Sequence, residues 1–162
     1  MINILITSGG GIWIVKLAKL LNKDYNIFLT DIKKIKKNKY VKGIFKIKST
    51  EHKNFISNLI SICNKNNITC VLPSSDEESI CLAKHKKIFE KKSRTKLLVS
   101  NYSIIKNFYS KDKIYRILSK NKINSFKWKL VKNNKQLKNV LENFKKNNFV
   151  IKPAASRGGR DT

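Results

Sequence analysis

The feature that most constrains the fold is an apolar, β-branched opening that runs directly into three glycines. Residues 2–7 include apolar residues on both faces of an extended chain, which predicts a strand buried inside a parallel sheet. Ser8, Gly9, Gly10 and Gly11 then predict a turn, and residues 12–21 have apolar side chains at helical spacing. With a second predicted strand at residues 25–30, the chain starts as a strand, turn, helix, strand unit.

The same alternation continues to about residue 100. Further strands are predicted at residues 43–48, 68–72 and 97–99, with helices over residues 51–64 and from the segment at residues 73–78 through residue 89. Strands that alternate with helices are typical of a doubly wound parallel sheet. The sequence therefore predicts an α/β fold over residues 1–100, a Rossmann-like parallel sheet with helices on both faces.

The glycine turn partly matches a dinucleotide-binding fingerprint. Gly9 and Gly11 follow the first strand, and Asp31 ends the second strand about 20 residues later, where an acid would bind a ribose hydroxyl. Ile14 stands where the third small residue of the fingerprint should allow close helix packing. A Rossmann-type NAD(P)-binding oxidoreductase, or a dinucleotide-binding module, is therefore one open interpretation.

The segment that begins the helix after the fourth strand has two interpretations. As a capping box, Ser75 accepts a hydrogen bond from the helix backbone and Glu78 reaches back to the cap, while Asp76 and Glu77 complement the helix dipole. As a binding feature, it lies beyond the carboxyl end of a parallel strand, where ligands of such sheets collect. The two interpretations are compatible.

The last residues of the chain predict an anion-binding loop. An apolar run closes on Lys152 and Pro153, and a loop with Ser156, Arg157, Gly158 and Gly159 follows. The glycines let the backbone approach an anion closely, and the cations supply charge, so phosphate is the expected ligand. The loop does not match a Walker motif, because that motif has its lysine after the glycines and here Lys152 precedes them. A surface hairpin with a Gly-Gly turn is the alternative.

Earlier in this region, residues 110–118 predict a helix that carries Asp112 and Lys113. A strand over residues 126–131 and a helix over residues 137–144 separate it from the strand that ends at Lys152. Taken alone, Lys113 is one surface lysine among many.

These segments resemble the ATP-grasp superfamily, in particular its carbamoyl-phosphate-synthase-like members. The stretch "VIKPAASRGGRDT" is similar to the family's phosphate loop, "ILITSGGG" and "LPSSDEES" to the domain that precedes the ATP-grasp fold, and Asp112-Lys113 to the start of the small lobe. Asp161 departs from the pattern, because many members have a glycine there. The resemblance implies that residues 101–162 are an incomplete α+β ATP-grasp small lobe.

The resemblance also implies the site residues and the chemistry. ATP would be bound by Lys113, Lys152, Ser156, Arg157, Gly158 and Gly159, and the substrate cleft would be lined by Gly9, Gly10, Gly11, Asp76 and Glu77. Family members use ATP to convert a carboxylate to an acylphosphate, which an amine then attacks. Their Mg²⁺-binding residues follow this loop, so we expect a fragment that is inactive alone, with no metal ligands in this chain and Mg²⁺ only in a longer protein.

Composition adds little to the functional assignment. The chain has 36 Lys and Arg residues against 10 Asp and Glu, a net charge of +26, but the lysines are scattered and accompanied by many Asn and Ile residues. Nucleic-acid-binding proteins more often concentrate arginine and aromatic residues on one face. We therefore expect no specific nucleic-acid partner and only weak, salt-sensitive DNA binding. A general cationic binding module stays open as a third interpretation.

Cysteine spacing and hydropathy predict a cytoplasmic protein. Cys63, Cys70 and Cys81 are an odd count without close pairs, which indicates neither a disulfide framework nor a zinc site. The glycines interrupt the first apolar run, so it does not match a signal peptide, and no run reaches the roughly 20 residues of a membrane helix. Substrate identity and oligomeric state are not predicted.

Overall fold

The structure is a computed structural model that describes residues 1–123, 126–144 and 149–155. It divides into two compact units, unit 1 (Met1–Ile105) and unit 2 (Lys106–Thr162).

Unit 1 is built on a parallel sheet of five strands in the order β3-β2-β1-β4-β5. Because β1 has β2 on one side and β4 on the other, the strand order reverses at β1, and ligands of such sheets bind beyond the carboxyl ends at this point. The strands are β1 (Ile2–Ile6), β2 (Tyr25–Asp31), β3 (Gly43–Lys46), β4 (Cys70–Leu72) and β5 (Lys96–Leu97). The helices of the unit are α1 (Ile12–Leu21), α2 (Phe55–Lys65) and α3 (Asp76–Ser93).

Successive side chains of β1 face opposite sides of the sheet and enter two separate cores. Leu5 packs with Phe55 of α2 and Phe89 of α3 in one core. Its neighbour Ile6 packs with Ile14 of α1 in the other core. Helices therefore cover both faces, and the predicted Rossmann-like parallel sheet is confirmed.

Two helices of unit 1 differ in extent from their predicted ranges. α2 begins at Phe55 instead of residue 51, because the preceding residues form a turn in which Phe55 N donates to His52 O (2.9 Å). α3 continues past residue 89 to Ser93, which is buried, and ends at Arg94 in the left-handed conformation (φ 55°). The Arg94 N–H then donates to Glu90 O (3.0 Å), which closes the last turn.

Three further helices follow, α4 (Tyr102–Phe108), α5 (Lys111–Lys120) and α6 (Asn134–Asn143). No described residue of unit 2 is buried. A small aromatic cluster packs along α5, with the Tyr115 ring 5.2 Å from that of Phe126 and 5.5 Å from that of Trp128. Trp128 Nε1 also donates to Ser119 Oγ (3.0 Å). No helix in the described ranges is long and apolar enough to span a membrane.

The two strands predicted in this region are not formed across residues 126–131 or residues 149–152. A strand needs a neighbour that pairs with its backbone groups. Here the backbone that follows each segment bonds to a helix instead, since Lys132 N donates to Gln136 Oε1 (2.9 Å) and Ala154 O accepts from Lys111 N (2.8 Å). The apolar patterns were therefore misread as strands.

Candidate functional site

The glycine turn lies at the carboxyl end of β1 and is bonded to β2. Gly9 N donates to Thr30 O (2.9 Å), and Gly10 N donates to Asp31 Oδ2 (2.9 Å). A Cβ atom at Gly9 would lie 2.8 Å from Leu29 Cβ, closer than real Cβ atoms approach. The turn thus lies directly against β2, and position 9 accepts no side chain without a shift of the strand.

Ser8 begins the turn in an unfavourable backbone conformation. Its φ of 49° is in the left-handed region, which costs about 1–2 kcal/mol for a residue with a Cβ. Its hydroxyl donates to Glu78 Oε2 (2.7 Å), and the adjacent Thr7 hydroxyl donates to the same oxygen (2.6 Å). Hydrogen bonds to a buried charged acceptor are strong enough to offset that cost.

The capping box predicted at α3 is confirmed, and Glu78 has further partners that were not predicted. Ser75 Oγ does accept from Glu78 N (3.4 Å), as predicted. The Glu78 carboxylate reaches back to the cap, where it accepts from the Ser75 hydroxyl (3.1 Å), and it also accepts from the hydroxyls of Thr7 and Ser8. Sequence reasoning missed this role, because Thr7 and Ser8 lie about 70 residues away and no local pattern connects them to Glu78.

Asp31, the acid of the dinucleotide interpretation, accepts hydrogen bonds from nearby backbone N–H groups. Its Oδ2 accepts from Gly10 N (2.9 Å) and its Oδ1 from Lys33 N (2.8 Å). Both oxygens therefore already accept backbone hydrogen bonds where the interpretation needs a ribose acceptor. Ile14 is fully buried between α1 and the sheet, where the fingerprint needs a small residue. The geometry does not favour dinucleotide binding.

The carboxyl edge of the sheet combines two kinds of electrostatic group. Gly11 caps α1 without a side-chain bond, so the helix presents backbone N–H groups and a partial positive charge. Asp76, which is exposed, and Glu77, which is half-buried, begin α3. The hydrogen bond from Ser8 to Glu78 joins the turn that precedes α1 to the first turn of α3. The edge can thus meet both an anionic and a cationic group of one ligand.

In unit 2, the two lysines predicted to bind phosphate are both exposed, and a pair of hydrogen bonds connects their segments. Lys111 N donates to Ala154 O (2.8 Å), and Lys111 Nζ donates to Pro153 O (3.2 Å). The chain just after Lys152 therefore lies against the start of α5, two residues from Lys113. The other predicted ATP-binding residues, Ser156, Arg157, Gly158 and Gly159, are outside the described residues.

Asp112 stabilises the start of α5. The Ser110 hydroxyl donates to its Oδ1, and Arg116 Nε lies 3.7 Å from its Oδ2. The Ser110 hydrogen bond is the main cause that lowers the pKa of Asp112, and the Arg116 charge adds to it. An ionised side chain in the first turn also complements the helix dipole. Asp112 thus acts within its own helix.

The cysteines show no sign of reactivity. Burial raises the pKa of Cys63 to about 12, and it also raises the pKa of Cys70 and of Cys81. A thiol with a raised pKa stays protonated and is a poor nucleophile at neutral pH. Within the described ranges, no group of three or more His, Cys, Asp or Glu residues could hold a metal ion.

Comparison with known protein families identifies the family to which residues 4–98 are similar. A family model described as "PylC-like, N-terminal domain" matches residues 4–98. The chain belongs to this family. PylC-like N-terminal domains are carbamoyl-phosphate-synthase-like domains that precede an ATP-grasp fold, so the predicted resemblance is confirmed for residues 4–98.

One solved structure similar to the chain is a short chain dehydrogenase family protein from Francisella tularensis subsp. tularensis SCHU S4. It shares 18% sequence identity, with a TM-score of 0.43, over 62% of this chain. The chain spans about half of that protein, 48% of its length. Similarity at this level supports neither an activity nor a ligand. No curated protein sequence matches the chain.

Proposed function

We propose that the chain is the N-terminal portion of an ATP-grasp ligase that joins a small-molecule carboxylate to an amine, or performs a carbamoyl-phosphate-synthase-like ligation. The observation that carries this proposal is the PylC-like family match over residues 4–98, which covers the sheet and the glycine turn of unit 1. Unit 2 would then be the start of the ATP-grasp small lobe.

Lys113 and Lys152 would hold the phosphates of ATP, together with the loop from Ser156 to Gly159. When bound, ATP supplies the phosphoryl group that activates a carboxylate. The task of the lysines is to neutralise phosphate charge and to position the phosphates. The bonds of Lys111 to Ala154 and Pro153 support a shared site, because they bring the Lys152 segment to the start of α5.

The carboxyl edge of unit 1 would bind the substrates. The free N–H groups at the start of α1 favour a carboxylate or another anion. The side chains of Asp76 and Glu77 at the start of α3 favour an amine in its ammonium form. Glu78 bonds the start of α3 to Ser8 in the turn before α1, and the backbone bonds of Gly9 and Gly10 keep that turn close to β2.

The proposal is tested by titrating the chain with ATP while changing single lysines. We expect Lys152→Ala and Lys113→Ala each to weaken ATP binding about tenfold or more, because each removes a charged hydrogen bond to phosphate. Lys120→Ala is the matched control, since Lys120 is an exposed lysine at the far end of α5. Binding is measured by isothermal titration calorimetry at moderate salt, which screens non-specific attraction to a chain of charge +26.

Two outcomes would contradict the proposal. If Lys120→Ala weakens ATP binding as much as Lys152→Ala does, ATP is only attracted by general positive charge. If NADH binds more tightly than ATP and Asp31→Asn abolishes its binding, the dinucleotide interpretation replaces the ligase interpretation.

A further inference from the structure

One carboxylate oxygen connects the start of α3 to the end of β1. Glu78 Oε2 accepts from Thr7 Oγ1 at 2.6 Å, from Ser8 Oγ at 2.7 Å and from Ser75 Oγ at 3.1 Å. Glu78 is only 6% exposed, so these hydroxyls take the place of water around the carboxylate. Burying a carboxylate is costly unless hydrogen bonds satisfy it, so the three hydroxyls around Glu78 indicate what this side chain does.

The hydroxyls of Thr7, Ser8 and Ser75 all donate to the Glu78 carboxylate. Each hydroxyl has one proton, and all three protons point to the same oxygen. Ser75 Oγ also accepts from Glu78 N (3.4 Å), so it is both donor and acceptor. From the same segment, Ser74 Oγ donates to the backbone carbonyls of Thr7 and Ser8. The side chains of Ser74 and Glu78, from one segment, thus hold the two residues that follow β1, Thr7 and Ser8.

These bonds act where the chain changes direction from β1 to α1. Ser8 adopts a φ of 49°, which a residue other than glycine avoids unless its surroundings impose it. The next two residues, Gly9 and Gly10, bond to β2, and α1 starts at Ile12. The conformation of Ser8 therefore decides where the turn and the N–H groups of α1 point.

We propose that Glu78 is a positioning residue that fixes the glycine turn. Its carboxylate holds Ser8 in the left-handed conformation, and this keeps Gly9 and Gly10 bonded to β2 with the start of α1 facing the carboxyl edge. That the turn serves an anionic substrate rests on the proposed function. The fixing of the turn does not, because it follows from contacts within unit 1.

The test is amide hydrogen exchange in the full chain, without nucleotide. In Glu78→Gln, which keeps size but loses the charge, we expect the amides of Gly9 and Gly10 to exchange about tenfold faster or more. The amides of Leu5 and Ile27, inside β1 and β2, should change much less. Glu90→Gln is the matched control, because Glu90 also ties α3 to the sheet, through Leu97 N (2.9 Å), but at the other end of the helix.

A second variant keeps the test valid if Glu78→Gln does not fold. Ser8→Ala removes one of the three hydroxyls and leaves the carboxylate in place, so Gly9 and Gly10 should exchange faster by a smaller factor. Unchanged exchange at Gly9 and Gly10 in either folded variant overturns the proposal. Equal acceleration at Leu5 and Ile27 also overturns it, because Glu78 would then support the whole unit. A failed ATP titration would leave this result untouched, since no nucleotide is present.

Discussion

The two units place similar helices in different surroundings. In unit 1, Phe55 of α2 and Phe89 of α3 are almost completely buried against the sheet. In unit 2, α5 and α6 have no buried residue, and Phe108 is 57% exposed. Amphipathic helices gain most of their stability from what their apolar face covers. A helix-forming pattern therefore predicts a helix in both units, but it predicts a buried core only where a sheet supplies the opposite surface.

This difference separates the proposed tasks of the molecule. The substrate edge lies on a sheet with two cores, so its glycine turn is fixed by the fold. The proposed phosphate lysines, Lys113 and Lys152, are in the region with little burial, where local opening requires less free energy. We expect unit 1 to keep its geometry without ligand and unit 2 to gain more order from binding.

The largest expected effect tests whether aromatic side chains on the helices of the two units differ in burial. Phe89→Ala should lower the free energy of unfolding of unit 1 by about 3–5 kcal/mol, because it leaves a cavity in a closed core. Phe108→Ala in unit 2 should cost about 1 kcal/mol or less, since its ring already faces water. Both are measured by urea denaturation. The chain has two tryptophans, Trp13 and Trp128, so single-tryptophan variants report on unit 1 and unit 2 separately.

Equal costs for Phe89→Ala and Phe108→Ala would break the comparison, because they would show that Phe108 is buried in solution. A cost below about 1 kcal/mol for Phe89→Ala would contradict the closed core of unit 1.

A medium effect is expected at the glycine turn. Gly9→Ala should destabilise unit 1 by about 1–3 kcal/mol, because its Cβ would meet Leu29 Cβ at 2.8 Å and β2 cannot move away freely. Gly11→Ala is the matched control, since its Cβ would meet the Trp13 side chain at 3.3 Å and Ile14 Cγ1 at 3.5 Å, both longer than the 2.8 Å contact at position 9. Thermal unfolding followed by circular dichroism compares the two. A smaller loss in Gly9→Ala than in Gly11→Ala would mean that the turn does not lie against β2.

The sequence predicted the sheet well where periodicity carries the information. β1 and β2 match their predicted ranges within one residue, because buried parallel strands are continuous apolar runs. The end of α3 was placed too early, because its closure depends on buried Ser93 and left-handed Arg94, which hydropathy does not distinguish. The false strand at residues 126–131 shows the opposite error, in which aromatic residues were taken for a strand although they pack on α5.

The site was predicted less completely than the fold. Gly9, Gly10 and Asp31 could be singled out from sequence, because glycine and acid at these positions have a known physical use. That Asp31 would be engaged by Gly10 N, and Glu78 by Thr7 and Ser8, could not be predicted. Such contacts join residues that are far apart in sequence, and a single sequence contains no signal for them.

The smallest expected effect distinguishes helices that depend on their caps from those that depend on burial. Asn133 Oδ1 accepts from Gln136 N (2.9 Å) and caps α6, which has no buried residue. Asn133→Ala should therefore lower the stability of α6 by about 0.5–2 kcal/mol, because the cap is a large share of what holds an exposed helix. Asn134→Ala, one residue later, is the matched control, since it leaves the cap intact and places a better helix former in the first turn.

The measurement is amide exchange along α6, with the amides of α3 as an internal reference. Faster exchange confined to α6 in Asn133→Ala, with no change or slower exchange in Asn134→Ala, supports a helix held by its cap. If α6 exchanges equally in both variants, something else covers the helix in solution. The stability of α6 would then rest on contacts other than its cap, and the contrast in burial between the two units would be smaller than the structure shows.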